Sequence, residues 1–213
     1  MAIGVVGTPT TGTSTATAPT GSTTGTLLVV AAAGPSGTTI TVPAGWSTQL
    51  NSTTSNSYTN LRLVIASAPW SGTLAMGFTS ATLLVCSAYS GTNTSSPWQT
   101  NNFSTETGSG TTITTPSVSD TTSGGWRVEG WGCAGLFSST TAWTTFSPAD
   151  TIHGETNTSN LAIAITDSNG TIGTGSTSVT GTIPDTNAIY DVAMAWIGIL
   201  VPLSSSGSNF FFF

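Results

Sequence analysis

His153 is the only histidine in the chain, so any catalytic triad built on an imidazole must include it. Asp150 and Glu155 lie within three residues of it and have the carboxylates that metals accept as ligands. One histidine and two acids at this spacing match no specific metal template, however, and the sequence contains no Gly-x-Ser-x-Gly nucleophile motif. We predict a solvated loop around His153, with no bound metal and no cofactor.

Two of the eight acids, Glu106 and Glu129, could in principle form the carboxylate pair of a glycoside hydrolase. Nothing in their spacing brings them together. Glu129 could also simply pair with Arg127 or lie at a strand edge. We therefore predict that the protein is not an enzyme.

The run Gly130-Trp-Gly132-Cys-Ala-Gly135 matches the glycine pattern of dinucleotide-binding proteins. In those proteins the motif joins a strand to a helix whose N-terminus receives the pyrophosphate. The residues that follow, Leu136-Phe-Ser-Ser-Thr-Thr, have no helical pattern. We predict instead that these glycines are small residues in a closely packed or kinked strand.

Hydroxyl side chains dominate the composition, with 45 Thr and 30 Ser among 213 residues, whereas only 5% of residues are charged. An average soluble domain has roughly 25% charged residues. The chain has no Lys, two Arg and a net charge of −6. Because nucleic-acid binding requires basic side chains to neutralise phosphates, we predict no nucleic-acid partner.

Membrane insertion is also not expected. The apolar segment 188–203 is shorter than the ~20 residues of a spanning helix, and Asp191 interrupts it. The first residues lack the positive charge and the long apolar run of a secretory signal. We expect synthesis in a cytoplasm.

Short strands separated by Gly, Pro, Asn and Ser are the main pattern along the chain. The last candidate strand is apolar on both faces, so we expect it in the interior of a sheet. The pattern predicts an all-β protein, an antiparallel β-sandwich of jelly-roll-like type with about ten short strands. The predicted strands are 27–33, 38–42, 61–68, 74–78, 82–89, 126–137, 142–146, 161–166, 176–183 and 190–201.

We predict one domain over residues 1–213. The polar stretches 51–57 and 92–110 are predicted to be exposed loops, and the Thr-rich segment 8–26 is predicted to be flexible. Residues 207–213 form an aromatic C-terminal tail.

Cys86 and Cys133 both lie in apolar, strand-like segments. They could meet across a core and form a disulfide. Alternatively, they are two buried free thiols that pack as small hydrophobic side chains, as is common in proteins assembled in a cytoplasm.

Two aromatic features are candidate interaction sites. Trp98 lies in a polar stretch, where it could stack on a sugar or a neighbouring subunit, or anchor the stretch to its own domain. The tail ends in four phenylalanines, and burying each one is worth roughly 1.5–3 kcal/mol. We expect them to dock on an adjacent subunit or particle surface, with packing on their own sheet as the alternative. They are Phe210, Phe211, Phe212 and Phe213.

The residue types after the second predicted strand favour a tight turn. In Thr39-Ile-Thr-Val-Pro-Ala-Gly-Trp46, Pro43 ends the strand and Gly45 permits a tight turn. Trp46 is then expected to cap the open end of the core.

The order of several segments resembles a family of virion proteins. The segments are Gly25-Thr-Leu-Leu-Val-Val-Ala-Ala, the Thr39–Trp46 run, a strand ending in Ala66-Ser-Ala, Ser87-Ala-Tyr-Ser-Gly91, and Asp191-Val-Ala-Met-Ala-Trp196.

This order is similar to that of the minor tail and capsid-decoration β-sandwich proteins of tailed phages, particularly phages of actinobacteria. In them a Gly-Asp-Leu-Leu-Val strand precedes a Pro-Ala-Gly-Trp turn; here Thr26 replaces the aspartate. The resemblance implies a fold and a place on a particle, and it implies no catalytic or ligand-binding residues.

We therefore expect a non-enzymatic structural protein on the exterior of a phage virion, as a minor tail or capsid-decoration subunit. Its expected partners are copies of itself and other virion proteins, and host-surface glycans are further candidate partners. The alternative is a carbohydrate-binding module or lectin-like domain, which would need two or three coplanar exposed tryptophans.

Overall fold

The structure is a computed structural model that describes residues 1–57, 59–136, 143, 145–158, 160–182 and 189–204. Every regular element in these ranges is a β-strand, which confirms the all-β prediction. The described residues include no helix long and apolar enough to span a membrane. The strands are β1 (Gly4–Val5), β2 (Thr10–Gly12), β3 (Leu27–Gly34), β4 (Ser47–Ser55), β5 (Asn60–Pro69), β6 (Leu83–Ser90), β7 (Trp98–Gly110), β8 (Thr112–Thr114), β9 (Val118–Asp120), β10 (Trp126–Leu136), β11 (Thr145–Ser147), β12 (Thr151–Asn157), β13 (Leu161–Asp167), β14 (Gly175–Thr177), β15 (Thr180–Thr182) and β16 (Ile189–Leu200).

Antiparallel pairing joins these strands into two large sheets and two small ones. Sheet I has the order β1-β6-β3-β5-β4, with β2 also paired to β6. Sheet II has the order β12-β13-β10-β16-β7. The small sheets are β11-β15-β8 and β14-β9. As expected for a strand that is apolar on both faces, β16 lies inside sheet II, between β10 and β7.

A central core lies between sheets I and II. β13 packs against β3 and β6, while β10 and β16 pack against β5. One hydrophobic cluster contains side chains of both sheets, so burial of this shared surface holds the sheets together. Its fully buried members include Leu27, Leu63 and Val85 of sheet I and Val128, Ile163, Met194 and Trp196 of sheet II.

The glycines of β10 allow this close approach. A Cβ at Gly130 would lie 2.3 Å from Ile65 Cδ1, and one at Gly132 would lie 3.2 Å from Leu63 Cδ1. Both glycines are in mid-strand and face the opposite sheet. The prediction that these glycines serve close packing in a strand is confirmed.

Each large sheet has a second hydrophobic cluster on its outer face. Outer core II covers sheet II with side chains of the small sheets and nearby loops, among them Ile113, Trp143 and Phe146. Outer core I covers sheet I, and the segments before β4 and before β6 supply Ile40 and Phe78 to it. This double coverage explains why β3 and β13 are buried along their whole length.

Trp46 belongs to outer core I. It is half-buried, its ring centroid lies 5.2 Å from that of Phe78, and its Nε1–H donates to Ala75 O at 2.7 Å. Gly45 has a φ of 89°, as the predicted tight turn requires. The packing role expected for Trp46 is therefore confirmed, but the tryptophan covers the outer face of sheet I and does not cap an open end of the central core.

Several strand predictions are wrong. The predicted loops at 51–57 and 92–110 contain most of β4 and all of β7. The predicted strands 38–42 and 74–78 form only isolated bridges, Thr41 to Thr79 and Thr15 to Gly77. The described strands also outnumber the ten predicted, because seven of them have only two or three residues.

The segment 8–26 is tied to sheet I at several points. β2 pairs with β6, and Ala16 is buried in outer core I. Ala16 N–H also donates to Met76 O at 3.0 Å. The flexibility predicted for this segment stays a prediction, and the tail 207–213 lies outside the described residues.

Both cysteines are free and buried. Cys86 lies in outer core I and Cys133 in outer core II, so both sheets separate the two thiols. This arrangement excludes a disulfide between them and confirms the alternative of two buried free thiols. Burial raises the pKa of Cys86 to about 12 and that of Cys133 still further.

Candidate functional site

Five of the eleven Arg, His, Asp and Glu residues of the chain lie close together in and beside sheet II, three on its outer face and two on the face toward sheet I, and we call these two groups together the charge cluster. Strand β10 supplies two of them, β12 and β13 supply one each, and one directly precedes β12. The members are Arg127, Glu129, Asp150, His153 and Asp167. In a chain with so few charges, this concentration is the feature that most needs a physical account.

Arg127 is the centre of the first half of the cluster. Its Nε donates to Glu129 Oε1 at 2.6 Å, its Nη1 to Thr177 Oγ1 at 2.8 Å, and its Nη2 to Asp150 Oδ1. The two acids have no exposed side-chain surface, and the arginine side chain is only 5% exposed. The guanidinium thus joins β10 to β14 and to the segment that precedes β12. The predicted pairing of Glu129 with Arg127 is confirmed.

Glu129 continues the network on the same face of sheet II. Its Oε2 accepts from Thr166 Oγ1 at 2.8 Å, and Thr166 Oγ1 in turn accepts from Trp131 Nε1 at 2.8 Å. Burial, and secondarily the charge of Asp150, raise the pKa of Glu129 well above its ordinary value despite the adjacent Arg127. The pKa of Asp150 is also raised by burial.

His153 and Asp167 form the second half of the cluster. His153 is the extra residue at a β-bulge, where the pairing of β12 with β13 shifts register. Its Nε2 lies 2.8 Å from Asp167 Oδ1, outside hydrogen-bonding geometry, while that oxygen accepts from Asn169 N–H at 2.7 Å. The Tyr89 ring of sheet I lies edge-on to the His153 ring, with centroids 6.5 Å apart. Burial, and secondarily the nearby Asp167 carboxylate, raise the pKa of Tyr89.

The residues considered for a metal site point to different partners. Asp150 bonds to Arg127, His153 faces Asp167, and Glu155 Oε2 accepts from Trp143 N–H at 3.3 Å. Within the ranges that the structure describes, no three His, Cys, Asp or Glu side chains form a set that could hold a metal ion. The predicted solvated loop is wrong, because His153 lies in a half-buried strand.

Glu106 and Glu129 are also not brought together. They lie two strands apart in sheet II, opposite Ala193 and Ile197 of β16. Four residues along the strand and two strand spacings across it separate their Cα atoms by about 16 Å. A glycosidase pair needs carboxyl groups ~5–9.5 Å apart. In addition, the Glu129 carboxylate is enclosed by its own hydrogen-bond partners.

Trp98 is the first residue of β7 and packs on the central core. Its ring lies edge-on to Trp196 with centroids 5.0 Å apart, and its Nε1–H donates to Ser67 Oγ at 2.9 Å. It is half-buried, which is the geometry of an anchor on its own domain. Contact with another molecule stays a prediction for Trp98, and the other candidate residues, Phe210 to Phe213, lie outside the described residues.

A surface groove of about 510 Å³ lies where the first residues meet the end of β16. The Met1 α-amino group donates to Leu203 O at 2.9 Å there. Met1 and Leu203 are 74% and 43% exposed and both line the groove, together with Thr122, Gly124 and Pro202. No ionisable side chain is among its described lining residues, so the groove offers hydroxyl and apolar contacts.

The sequence reasoning missed one exposed aromatic residue. Phe103 lies in the middle of β7 with 43% of its surface exposed, in a stretch predicted to be a loop. A detectable signal was its position among Thr and Asn residues, since a polar strand at the edge of a sheet has that composition.

Comparisons with protein-family models, with curated proteins and with solved structures found no match for this chain.

Proposed function

We propose that this chain is a non-enzymatic structural protein on the exterior of a tailed-phage virion, a minor tail or capsid-decoration subunit that works through contacts with copies of itself and with neighbouring virion proteins. Weak adhesion to host-surface glycans is a secondary part of this proposal. The order of sequence segments supports the virion location, and the distribution of charge supports the mode of action.

The observation that carries the proposal is that many of the few ionisable side chains are buried instead of exposed on the surface. The charge cluster holds five of the eleven Arg, His, Asp and Glu side chains in three close charge contacts with one another, whereas Ser and Thr make up about a third of the chain. Hydroxyl groups cost much less to desolvate than charges do. Identical copies can therefore pack side by side without bringing like charges together, which suits a repetitive assembly.

The charge cluster supports a mechanical role more than a chemical one. Arg127 links three segments of the chain through buried hydrogen bonds, and each acid beside it accepts at least one of them. A buried arginine that donates to three side chains fixes the position of the segments that it joins. Within this proposal, the cluster fastens the outer layer of sheet II to β10.

The proposed architecture is a β-sandwich of sheets I and II. The shared central core and the close approach at Gly130 support it. Jelly-roll-like connectivity remains part of the proposal, as the family resemblance implies.

A carbohydrate-binding module is not the function that the geometry favours. All seven tryptophans are buried or half-buried, and the indole N–H of Trp98 already donates to Ser67. Binding of a flat sugar face requires exposed aromatic rings. A glycan array with the purified chain tests this alternative directly.

The proposal is tested by fractionating a lysate of the source cells on a density gradient after particle assembly. An antibody against the purified chain should detect it in the particle fraction, bound to intact particles. Recovery of the chain only in the soluble fraction, or turnover of a substrate by the purified chain, would overturn the proposal.

A further inference from the structure

The outer edge of sheet II is formed by β7, and within the described ranges β7 pairs only with β16. Five residues along it are exposed, namely Asn101, Asn102, Phe103, Thr105 and Thr107. The opposite edge differs, because β12 is half-buried throughout and packs against β6 and β2. β7 also packs against β4, β8 and β9, but in the described part of the chain it has no second ladder partner and is more exposed than β12, so it is the long unpaired edge of this sheet.

The direction of the backbone amides shows which residues could pair beyond this edge. The N–H of Phe103 donates to the side chain of Asn102 at 2.9 Å, which places this amide on the side away from β16. Because the backbone groups of a strand point alternately to its two sides, the amides of Asn101 and Thr105 also point outward. Three alternate amides thus point outward, and a partner strand would replace the Asn102 side chain as the acceptor for Phe103 N–H.

The side chains of β7 do not block such pairing. Proteins protect exposed edges with Lys, Pro, bulges or very short strands. β7 has thirteen residues, and the stretch from residue 98 to 110 contains neither Lys nor Pro. Its two register shifts against β16 lie near its ends, between Trp98 and Thr100 and between Thr107 and Gly110, so the stretch from residue 100 to 107 pairs regularly. Phe103, one of three large apolar side chains that are well exposed in the described part, lies at the middle of this edge.

We propose that β7 pairs with β7 of a second copy of this chain, antiparallel and about a two-fold axis at Phe103, so that the two copies of sheet II form one continuous ten-stranded sheet. This inference deepens the proposed function and rests on it for the identity of the partner as a copy. A two-fold axis uses the same edge on both subunits, so one surface suffices for the contact.

The charges of β7 are compatible with this axis. Glu106 is the one ionisable residue of the strand, and in this register it lies opposite Thr100 of the other copy. The two Glu106 residues are then six positions apart along the ladder, about 20 Å. That distance exceeds the Debye length of ~8 Å at physiological salt, so their repulsion is screened.

The test compares the full-length chain with Thr105→Pro and Phe103→Lys by sedimentation equilibrium. The native chain should sediment as a dimer of its 21.4 kDa subunit. Thr105→Pro removes an outward N–H without affecting the ladder to β16. Since the axis doubles the loss to two hydrogen bonds per dimer, the dissociation constant should rise about tenfold. Phe103→Lys places a charge on the axis and should give a monomer.

Two controls separate the edge from general effects on folding. Leu203→Lys changes a side chain with the same 43% exposure away from β7 and should leave the dimer intact. Hydrogen exchange should show slow exchange of the Asn101, Phe103 and Thr105 amides in the native dimer and fast exchange in folded Phe103→Lys. If Thr105→Pro does not fold, Phe103→Lys and the exchange data decide the question.

A native chain that stays monomeric, or a dimer that both β7 variants leave unchanged, would overturn the inference. These outcomes differ from a failure of the proposed function. A monomer that is found on particles would overturn only the β7 interface, whereas a β7 dimer that is found only in the soluble fraction would overturn only the virion location.

Discussion

The packing of sheet I against sheet II can be tested at Gly130, where the two sheets come closest. In the variant Gly130→Ala, the new Cβ would lie 2.3 Å from Ile65 Cδ1 and 3.1 Å from Ile65 Cγ1. Carbon atoms that are not bonded to each other normally stay ~3.5–4.0 Å apart. Ile65 is only 1% exposed and packed in the central core, so its side chain cannot simply turn away. Overpacking of this kind costs about 1–3 kcal/mol of unfolding free energy.

A second substitution isolates the contact. Ile65→Val deletes Cδ1, the atom nearest to the new methyl group, and alone should cost about 0.5–1.5 kcal/mol. In the Gly130→Ala background the same change relieves the clash, so its cost should shrink or reverse. We expect a coupling free energy of about 1 kcal/mol or more between the two positions.

Urea unfolding followed by tryptophan fluorescence gives the four unfolding free energies of this cycle. Gly37→Ala is the matched control, because a Cβ there meets no described atom within 4 Å, and it should change stability by about 0.5 kcal/mol or less. The loss of stability in Gly132→Ala should fall between those of Gly130→Ala and Gly37→Ala, since the new Cβ would lie 3.2 Å from its nearest neighbour, Leu63 Cδ1. Additive effects, or a Gly130→Ala variant as stable as Gly37→Ala, would refute the proposed stacking of the sheets.

Three further predictions concern the buried polar groups. Because the pKa of Glu129 is raised, the folded state keeps a proton that the unfolded state releases above about pH 4.5. The free energy of unfolding should therefore fall as the pH rises above that value. Glu129→Gln should flatten this pH dependence in unfolding curves measured from pH 4 to 8. Arg127→Met removes the shared donor of the buried Glu129 and Asp150 side chains and should cost about 3 kcal/mol in urea unfolding. Arg62→Met, at a half-buried arginine bonded to one asparagine, should cost about 1 kcal/mol or less. Cys86 and Cys133, buried and with raised pKa values, should react with a thiol reagent only at the rate of unfolding.

Each of these can fail clearly. An unchanged pH slope in Glu129→Gln would show that this carboxyl does not keep its proton in the folded protein. Equal costs for the two arginine variants would remove the mechanical role proposed for the charge cluster. Fast labelling of either thiol under native conditions would contradict its position in an outer core.

The sequence predicted those strands whose side chains pack in a core. The predicted strands at 61–68 and 161–166 nearly coincide with β5 and β13, because their apolar runs reflect burial. β4 and β7 were missed because they lie at sheet edges, where backbone pairing and not apolar alternation defines the strand. The segments around Ile40 and Phe78 were mistaken for strands because loops that cover a sheet also need apolar side chains.

The charge cluster was predictable only in part. Arg127 and Glu129 are two residues apart on a strand and therefore share a face, which the sequence alone indicates. Asp150 reaches Arg127 from the segment before β12, and Asp167 reaches His153 on the other face of the sheet through the register of β12 and β13 and the bulge at His153. Such long-range register depends on the whole fold, so a local pattern could not reveal it.

The central claim is that this chain belongs to the outside of a virion and works there by contact with its neighbours. The most direct measurement is electron microscopy of intact particles labelled with an antibody against the folded chain. We predict label at several regularly placed positions on the particle exterior. Unlabelled particles, from a lysate in which the chain itself is abundant, would contradict the account.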